Sequence, residues 1–243
     1  AGDVDAMLSA GNTGALLAAG FFIVGRIKGV ERPPLAPLIP TEKGGALLID
    51  CGANVDAKPS NLVQFAQMGS IYMENICKVK NPKVGLVNIG AEEEKGNNLA
   101  KETYQLLCNL EGINFIGNIE AREIPEGKAD VVVCDAFVVN VILKMYEGVG
   151  GVLLKKVKGT LMTSLKTKIG ALLIKKELKE TLKTFQMDQY GGAPLLGLKG
   201  LVVKTHGNSK AIEVKNSIIQ CISFKEMNIN DKISKKLAVK KEN

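Results

Sequence analysis

The sequence predicts an α/β protein with a Rossmann-like, doubly wound and mostly parallel sheet, and three observations carry that expectation. Its strand-like runs are apolar throughout rather than alternating, which is the pattern of strands covered on both faces. Each run leads into a glycine-containing turn and then a helical pattern, so strands and helices alternate along the chain. The composition is globular, with 46% hydrophobic and 23% charged residues in 243 and no Trp, so the core is built mainly from Leu, Ile, Val and Ala.

Ala6 to Gly25 is free of charge and long enough to resemble a signal peptide or a membrane span. Asp3 and Asp5 stand where a signal would be basic, and Asn12, Thr13 and several glycines interrupt the run. A strand end, a glycine turn and a buried helix account for it better. The chain starts without Met and with no strand ahead of that turn, so a preceding segment is expected.

The next strand is Ala46–Asp50, leading into Cys51-Gly52-Ala53-Asn54, with Pro59 opening a helix to about Val79. Lys83–Ile89 leads into the polar loop from Gly90 to Asn97, then a helix to about Leu110. Asn114–Ile116 is a short strand, and Asp130–Cys134 precedes a helix from about Phe137. Leu201–Lys204 leads into Thr205-His206-Gly207-Asn208 and a last helix to about Phe224, followed by a Lys-rich tail read as a frayed surface helix.

Residues from Gly151 to Phe185 stand apart. Val157, Leu161, Leu165 and Ile169 recur every four residues, and Ile174, Leu178, Leu182 and Phe185 repeat the pattern. Between them Ile169 to Ile174 is apolar on all sides, so the segment reads as an amphipathic helical hairpin with a greasy tip flanked by lysines. Val152 to Phe185 holds nine lysines and two glutamates, an excess equal to the net charge of +7 of the whole chain. Such a stripe suits an acidic protein, an anionic membrane or nucleic acid, although the lack of interleaved aromatics and arginines argues against nucleic acid. The expected organisation is a sheet domain over 1–150, the hairpin over 151–186, a return to the sheet domain over 187–224 and a polar tail over 225–243.

Ligands in open α/β sheets bind beyond the carboxyl ends of the strands, and the polar clusters fall there. Gly11-Asn12-Thr13-Gly14 opens a helix and is a candidate phosphate-binding turn, though neither a Walker loop nor a dinucleotide fingerprint. His206 is the single histidine and sits in a polar turn with Lys199 and Lys204 nearby. Asp135 ends a strand and also suits a helix cap, with Asn140 about one turn beyond. Asn54, Asn88, Gly90, Lys95 and Asn118 are candidate substrate-loop residues. Five scattered cysteines and one histidine exclude the usual zinc spacings, so no metal and no cofactor are expected. No Gly-X-Ser-X-Gly elbow occurs, which favours direct attack by a bound nucleophile over a covalent acyl-enzyme.

In order, Ser9–Leu16, Arg32–Ala36, Asp50–Asp56, Val87–Gly90 with Glu92–Asn97, Gly117–Glu120, Asp130–Lys144, Tyr190–Gly197 and Lys204–Gly207 resemble the bacterial phosphate acyltransferases of phospholipid synthesis. The resemblance covers residues 1 to about 224. It implies a cytoplasmic, peripherally membrane-associated homodimer related in fold to isocitrate and isopropylmalate dehydrogenases and to phosphotransacetylases. It also implies acyl transfer from acyl carrier protein to inorganic phosphate. His206, Asn140, Lys199 and Asp135 would then be catalytic, with Gly11 to Gly14 holding phosphate. Ile169, Leu172, Leu173, Ile174, Lys175 and Lys176 would meet membrane or carrier protein. Two departures stand out: Ala136 and Val139 occupy positions where the family has glycine, and the family's early Asp-Ala-Met-Gly-Gly-Asp strand is absent. The alternatives are a short-chain phosphotransacetylase and a non-catalytic membrane-binding protein.

Overall fold

The computed structural model describes residues 3–184 and 189–238. The strands are β1 (Ala6–Ser9), β2 (Leu38–Thr41), β3 (Gly44–Ile49), β4 (Lys83–Asn88), β5 (Asn114–Glu120), β6 (Val131–Val133), β7 (Ala193–Leu195) and β8 (Leu201–Lys204). The helices are α1 (Thr13–Ala19), α2 (Pro59–Asn75), α3 (Asn98–Cys108), α4 (Ala136–Leu161), α5 (Leu165–Leu173), α6 (Lys175–Thr184), α7 (Ala211–Glu226) and α8 (Ile229–Ala238).

The strands form two mixed sheets where one was expected. A five-stranded sheet has the order β2-β3-β6-β4-β5, and a three-stranded sheet has the order β1-β8-β7. Strands β3, β6, β4 and β5 run parallel, and β1 runs parallel to β8. Strands β2 and β7 are antiparallel to their neighbours and were not read from the sequence. The stretch from Pro33 to Pro37 joins the sheets: Pro34 and Pro37 carbonyls accept from Leu196 and Leu48, and Ala36 donates to Pro194. Four prolines between 33 and 40 remove amide donors, so this connector cannot extend either ladder regularly.

The five-stranded sheet is covered on both faces. On one, α2 buries Phe65, Met68 and Tyr72 against Leu47, Ile49, Val131 and Val133. Gly69 permits that approach, since a Cβ there would fall 2.6 Å from Val131 Cγ1. On the other, Val139 and Leu143 of α4 pack on Ile39, Leu48 and Val132. The tail differs from expectation: Ile229, Ile233 and Leu237 recur every four residues, are buried and seat α8 on the core beside α2. Helix α1 also differs, since Leu16 is its buried residue and most of its surface is open.

Helix α4 continues through Gly148, Gly150 and Gly151, so the boundary expected at 151 falls inside a 26-residue helix. It is long and apolar enough by length and composition to cross a membrane, although its first turns belong to the core. Helix α4 ends at Leu161, and Ser164 caps α5 through Thr167 N. Ile169 to Leu173 lie within α5 and Ile174 at its end, with Leu172 and Leu173 largely exposed. Phe185, the last residue of the second apolar repeat, lies outside the described residues, as do residue 186 and the tail beyond 238.

Candidate active site

A cleft of about 360 Å³ opens at the carboxyl ends of β3 and β8, between the two sheets. Each wall has a local cause. Cys51 and Gly52 follow β3, and Thr205 and His206 follow β8, while Thr13 opens α1. Asn140, Leu143 and Lys144 come from the early turns of α4; their spacing of three and four residues puts them on one helix face. A larger hollow of about 530 Å³ lies between α2, α8 and the starts of β4 and β5, at the strand ends where ligands of open α/β sheets do not bind.

Gly191 and Gly192 complete the floor. Gly191 has φ +79°, and a Cβ on Gly192 would lie 2.6 Å from Val203 Cγ1 and 2.7 Å from the Lys204 carbonyl oxygen. Only glycine allows the chain to pass that close to β8.

The cleft holds opposed charges. Lys144 and Lys204 line it with His206, and so does Glu213, a buried acid on the first turn of α7. Glu147, one turn beyond Lys144, reaches Lys144 Nζ at 3.1 Å and His206 Nε2 at 3.5 Å. The Lys204 ammonium donates to the Thr205 carbonyl. Cys51 is an unsuitable nucleophile, because burial above all, and the neighbouring Asp50, push its thiol up to about 12. Cys134 is likewise held protonated, chiefly by burial.

Of the residues singled out in sequence, His206, Asn140 and Thr13 meet in this cleft. Lys199 does not: it precedes β8 at the opposite end, where its amide donates to the Gly25 carbonyl and its carbonyl accepts from Asn230. Asp135 caps α4, accepting from Phe137 and Val138 amides at 3.0 and 3.1 Å. Asn12 caps α1 through Ala15 N at 3.0 Å, and the Gly11 amide donates to Ser9 Oγ, so part of that turn is occupied by its own chain. Gly14 lies on α1 with the Asn12 side chain against it.

Asn88, Gly90, Lys95 and Asn118 gather elsewhere, at the ends of β4 and β5. Asn88 donates to the Lys95 carbonyl and Asn118 to the Glu92 carbonyl, and Gly90 sits under Glu92 and Lys95, so the group shapes its own loop. Asn118 Oδ1 is buried there with no hydrogen-bond partner. Asn54 serves a clamp that sequence reading missed. Asp50, fully buried, accepts at 2.7 Å from Leu35 N through one oxygen and from Asn54 N and Nδ2 through the other. Burial outweighs these bonds and raises its pKa to about 6. The clamp ties the inter-sheet connector to the loop beside the cleft.

Lys144, Glu147, Lys204 and Glu213 were also missed as site residues. The first two sit four and seven residues after Asn140, a helical spacing visible in the sequence. Glu213 reaches the cleft through tertiary packing that no local pattern announces.

A cleft between α/β sheets that gathers lysines, a histidine and an asparagine where strand ends meet the start of α4 suits group transfer with an anionic co-substrate. A sequence profile described as fatty acid synthesis protein matches residues 1–232. A phosphate acyltransferase of Clostridium novyi (strain NT) is 54% identical over 95% of this chain and 69% of its own length. One from Alkaliphilus oremlandii (strain OhILAs) is 53% identical over 95% and 68%. Among solved structures, phosphotransacetylases from Staphylococcus aureus and Streptococcus pyogenes superpose with TM-scores of 0.59 and 0.58 at 16% and 17% identity. They share the fold over 92% and 91% of this chain, which spans 64% of each of them. The chain belongs to the fatty acid synthesis protein family and, like the relatives named above, is an acyltransferase with phosphate as acceptor.

Proposed function

We propose that this chain moves a long-chain fatty acyl group from acyl carrier protein to inorganic phosphate in the cleft between its two sheets. The observation that carries the reading is the meeting of Asn140 and His206, from distant parts of the sequence, with Lys144 and Lys204 around one hollow. Phosphate sits among Lys144, Lys204 and Thr13 and takes the charge of both ammonium groups. One phosphate oxygen attacks the thioester carbonyl, the C–O bond forms and the C–S bond breaks. Asn140 and His206 donate to the carbonyl oxygen as it gains charge, a role in which one donor supplies about 10²–10³ in rate. The carrier leaves as its thiol, taking the proton that the attacking hydrogen phosphate gives up, and Glu147 stands 3.5 Å from His206 Nε2 beside the reacting groups. The main contribution is the joint positioning of acceptor and thioester; the mechanism draws on no metal and no cofactor.

The test is phosphate-dependent thiol release from acyl carrier protein, with acyl phosphate as product. His206→Ala is expected to lose about 10²-fold in turnover, and near-normal turnover would remove the assigned role.

The same reading includes a homodimer in contact with a membrane. Phe137, Val141, Met145, Val149 and Leu153 stand every fourth residue along α4 with more than half of each exposed, forming one ridge that a second copy would cover. Leu172, Leu173 and Ile174 next to Lys175 and Lys176 suit an anionic lipid surface, and the lysines equally suit an acidic carrier protein. Liposome sedimentation with Leu172, Leu173 and Ile174 changed to Glu separates the two: unchanged binding excludes the α5 end as the contact.

A further inference from the structure

A second hollow, about 210 Å³, lies beside the cleft and is lined by Leu17, Ala18, Phe21, Phe22, Pro33, Ala53, Leu195 and Leu198, with Arg32 and Asn54 its polar members. The Asn54 amide is engaged with the Pro33 carbonyl and Asp50, so apart from Arg32 the lining side chains present hydrocarbon. Two structural features set this hollow directly beside the cleft, with no lining residue shared between the two. Helix α1 lines both: Thr13 faces the cleft, and Leu17, one turn and about 6 Å further along the axis, faces the apolar hollow. Leu35 and Ala193 line the cleft while packing in one cluster with Leu17, Ala53, Leu195 and Leu198. At the far end stands an edge-to-face pair, Phe21 and Phe22 at 5.1 Å, with the Arg26 guanidinium 4.4 Å over the Phe21 ring and Phe22 open to solvent.

We propose that this hollow holds the acyl chain of the substrate, with the thioester carbonyl in the cleft near Thr13 and the chain passing Leu17 and Ala18 toward Phe22. The inference rests on the acyl-transfer reading and adds to it the site that sets chain length. An apolar cavity of about 150 Å³ lined by similar residues takes a benzene-sized guest. By proportion this one has room for about eight carbons along an open groove, and longer chains leave over the exposed Phe22. Selectivity is therefore expected to rise by about fourfold in kcat/KM per methylene up to about eight carbons and then to flatten.

Ala18 is exposed on α1, so Ala18→Phe fills the hollow without disturbing the core. The assay is acyl phosphate formation from acyl carrier protein carrying chains of four to sixteen carbons. The variant is expected to lower the ratio of kcat/KM for sixteen carbons over four by at least tenfold; an unchanged ratio overturns the proposal. A flat wild-type profile across the series also overturns it. Binding of a fluorescent hexadecanoate, read by anisotropy, needs no turnover. At least tenfold weaker binding by Ala18→Phe supports the hollow even if no acyl phosphate forms, in which case it is the reaction reading that fails; equal binding by the two proteins overturns the hollow.

Discussion

Replacing Gly192 by Ala tests whether the cleft depends on the close passage of β7 against β8. The added Cβ would stand 2.6 Å from Val203 Cγ1 and 2.7 Å from the Lys204 carbonyl oxygen, with Thr205 Cγ2 at 3.0 Å. Neither of the nearest atoms yields cheaply: Val203 is fully buried and stiff at χ1, and the other atom is backbone. The strands must separate by about 0.7 Å to restore ordinary contact, an overpacking that costs about 1–3 kcal/mol. For a chain of this size about 2 kcal/mol lowers Tm by about 4–8 °C. The shift falls on Lys204 and His206, and a misplacement approaching 1 Å costs up to about 10²-fold in rate. Thermal unfolding and acyl phosphate formation are measured together, with Gly148→Ala as reference. Nothing stands within 4 Å of a Cβ at Gly148, so that variant is expected to be stabilised by about 0.5–1 kcal/mol. A Gly192→Ala protein with wild-type Tm and turnover within twofold would refute the reasoning.

Asp50 makes a pH-dependent contribution whose sign follows from its raised pKa. The folded state holds the proton more tightly than the unfolded chain, so the stability it lends is complete below about pH 4 and is lost as pH rises to about 6. The loss is about 3 kcal/mol at most, and Asp50→Asn should flatten that part of the pH profile of the urea midpoint. An identical slope in the variant would remove Asp50 as its source. Lys204→Ala is expected to raise KM for phosphate by tenfold or more with a smaller change in KM for the acyl carrier, and an unchanged phosphate KM would move the acceptor elsewhere. Phe137→Glu combined with Met145→Glu breaks the α4 ridge and should yield a monomer by light scattering, and a persistent dimer would place the interface on another face.

What could be read from the sequence is what local chemistry dictates. The continuous apolar runs at Ala46–Asp50, Lys83–Ile89 and Leu201–Lys204 announce parallel strands, and the structure has β3, β4 and β8 there within one or two residues. His206 stood out because a polar turn follows Leu201–Lys204, and Asn140 because it lies about one turn past the end of Asp130–Cys134; Lys144, four residues further on, was not singled out. The rest depended on distance. Strands β2 and β7 are short, proline-containing and antiparallel, so no periodicity marks them, and only their partners across the fold make them strands. Lys199 and Lys204 look equivalent in sequence, yet β8 runs between them and sends them to opposite ends of the sheet. The tail looked polar because three buried side chains in ten residues carry little weight in composition, and the face of α2 decides where they go. The sequence by itself determined the parallel strands, the glycine turns and the types of side chain available for chemistry. Tertiary packing alone decided that two sheets meet, that the Asp50 clamp and the Gly192 approach shape the gap between them, and that Glu213 comes to line it, because each depends on segments that carry no local record of each other.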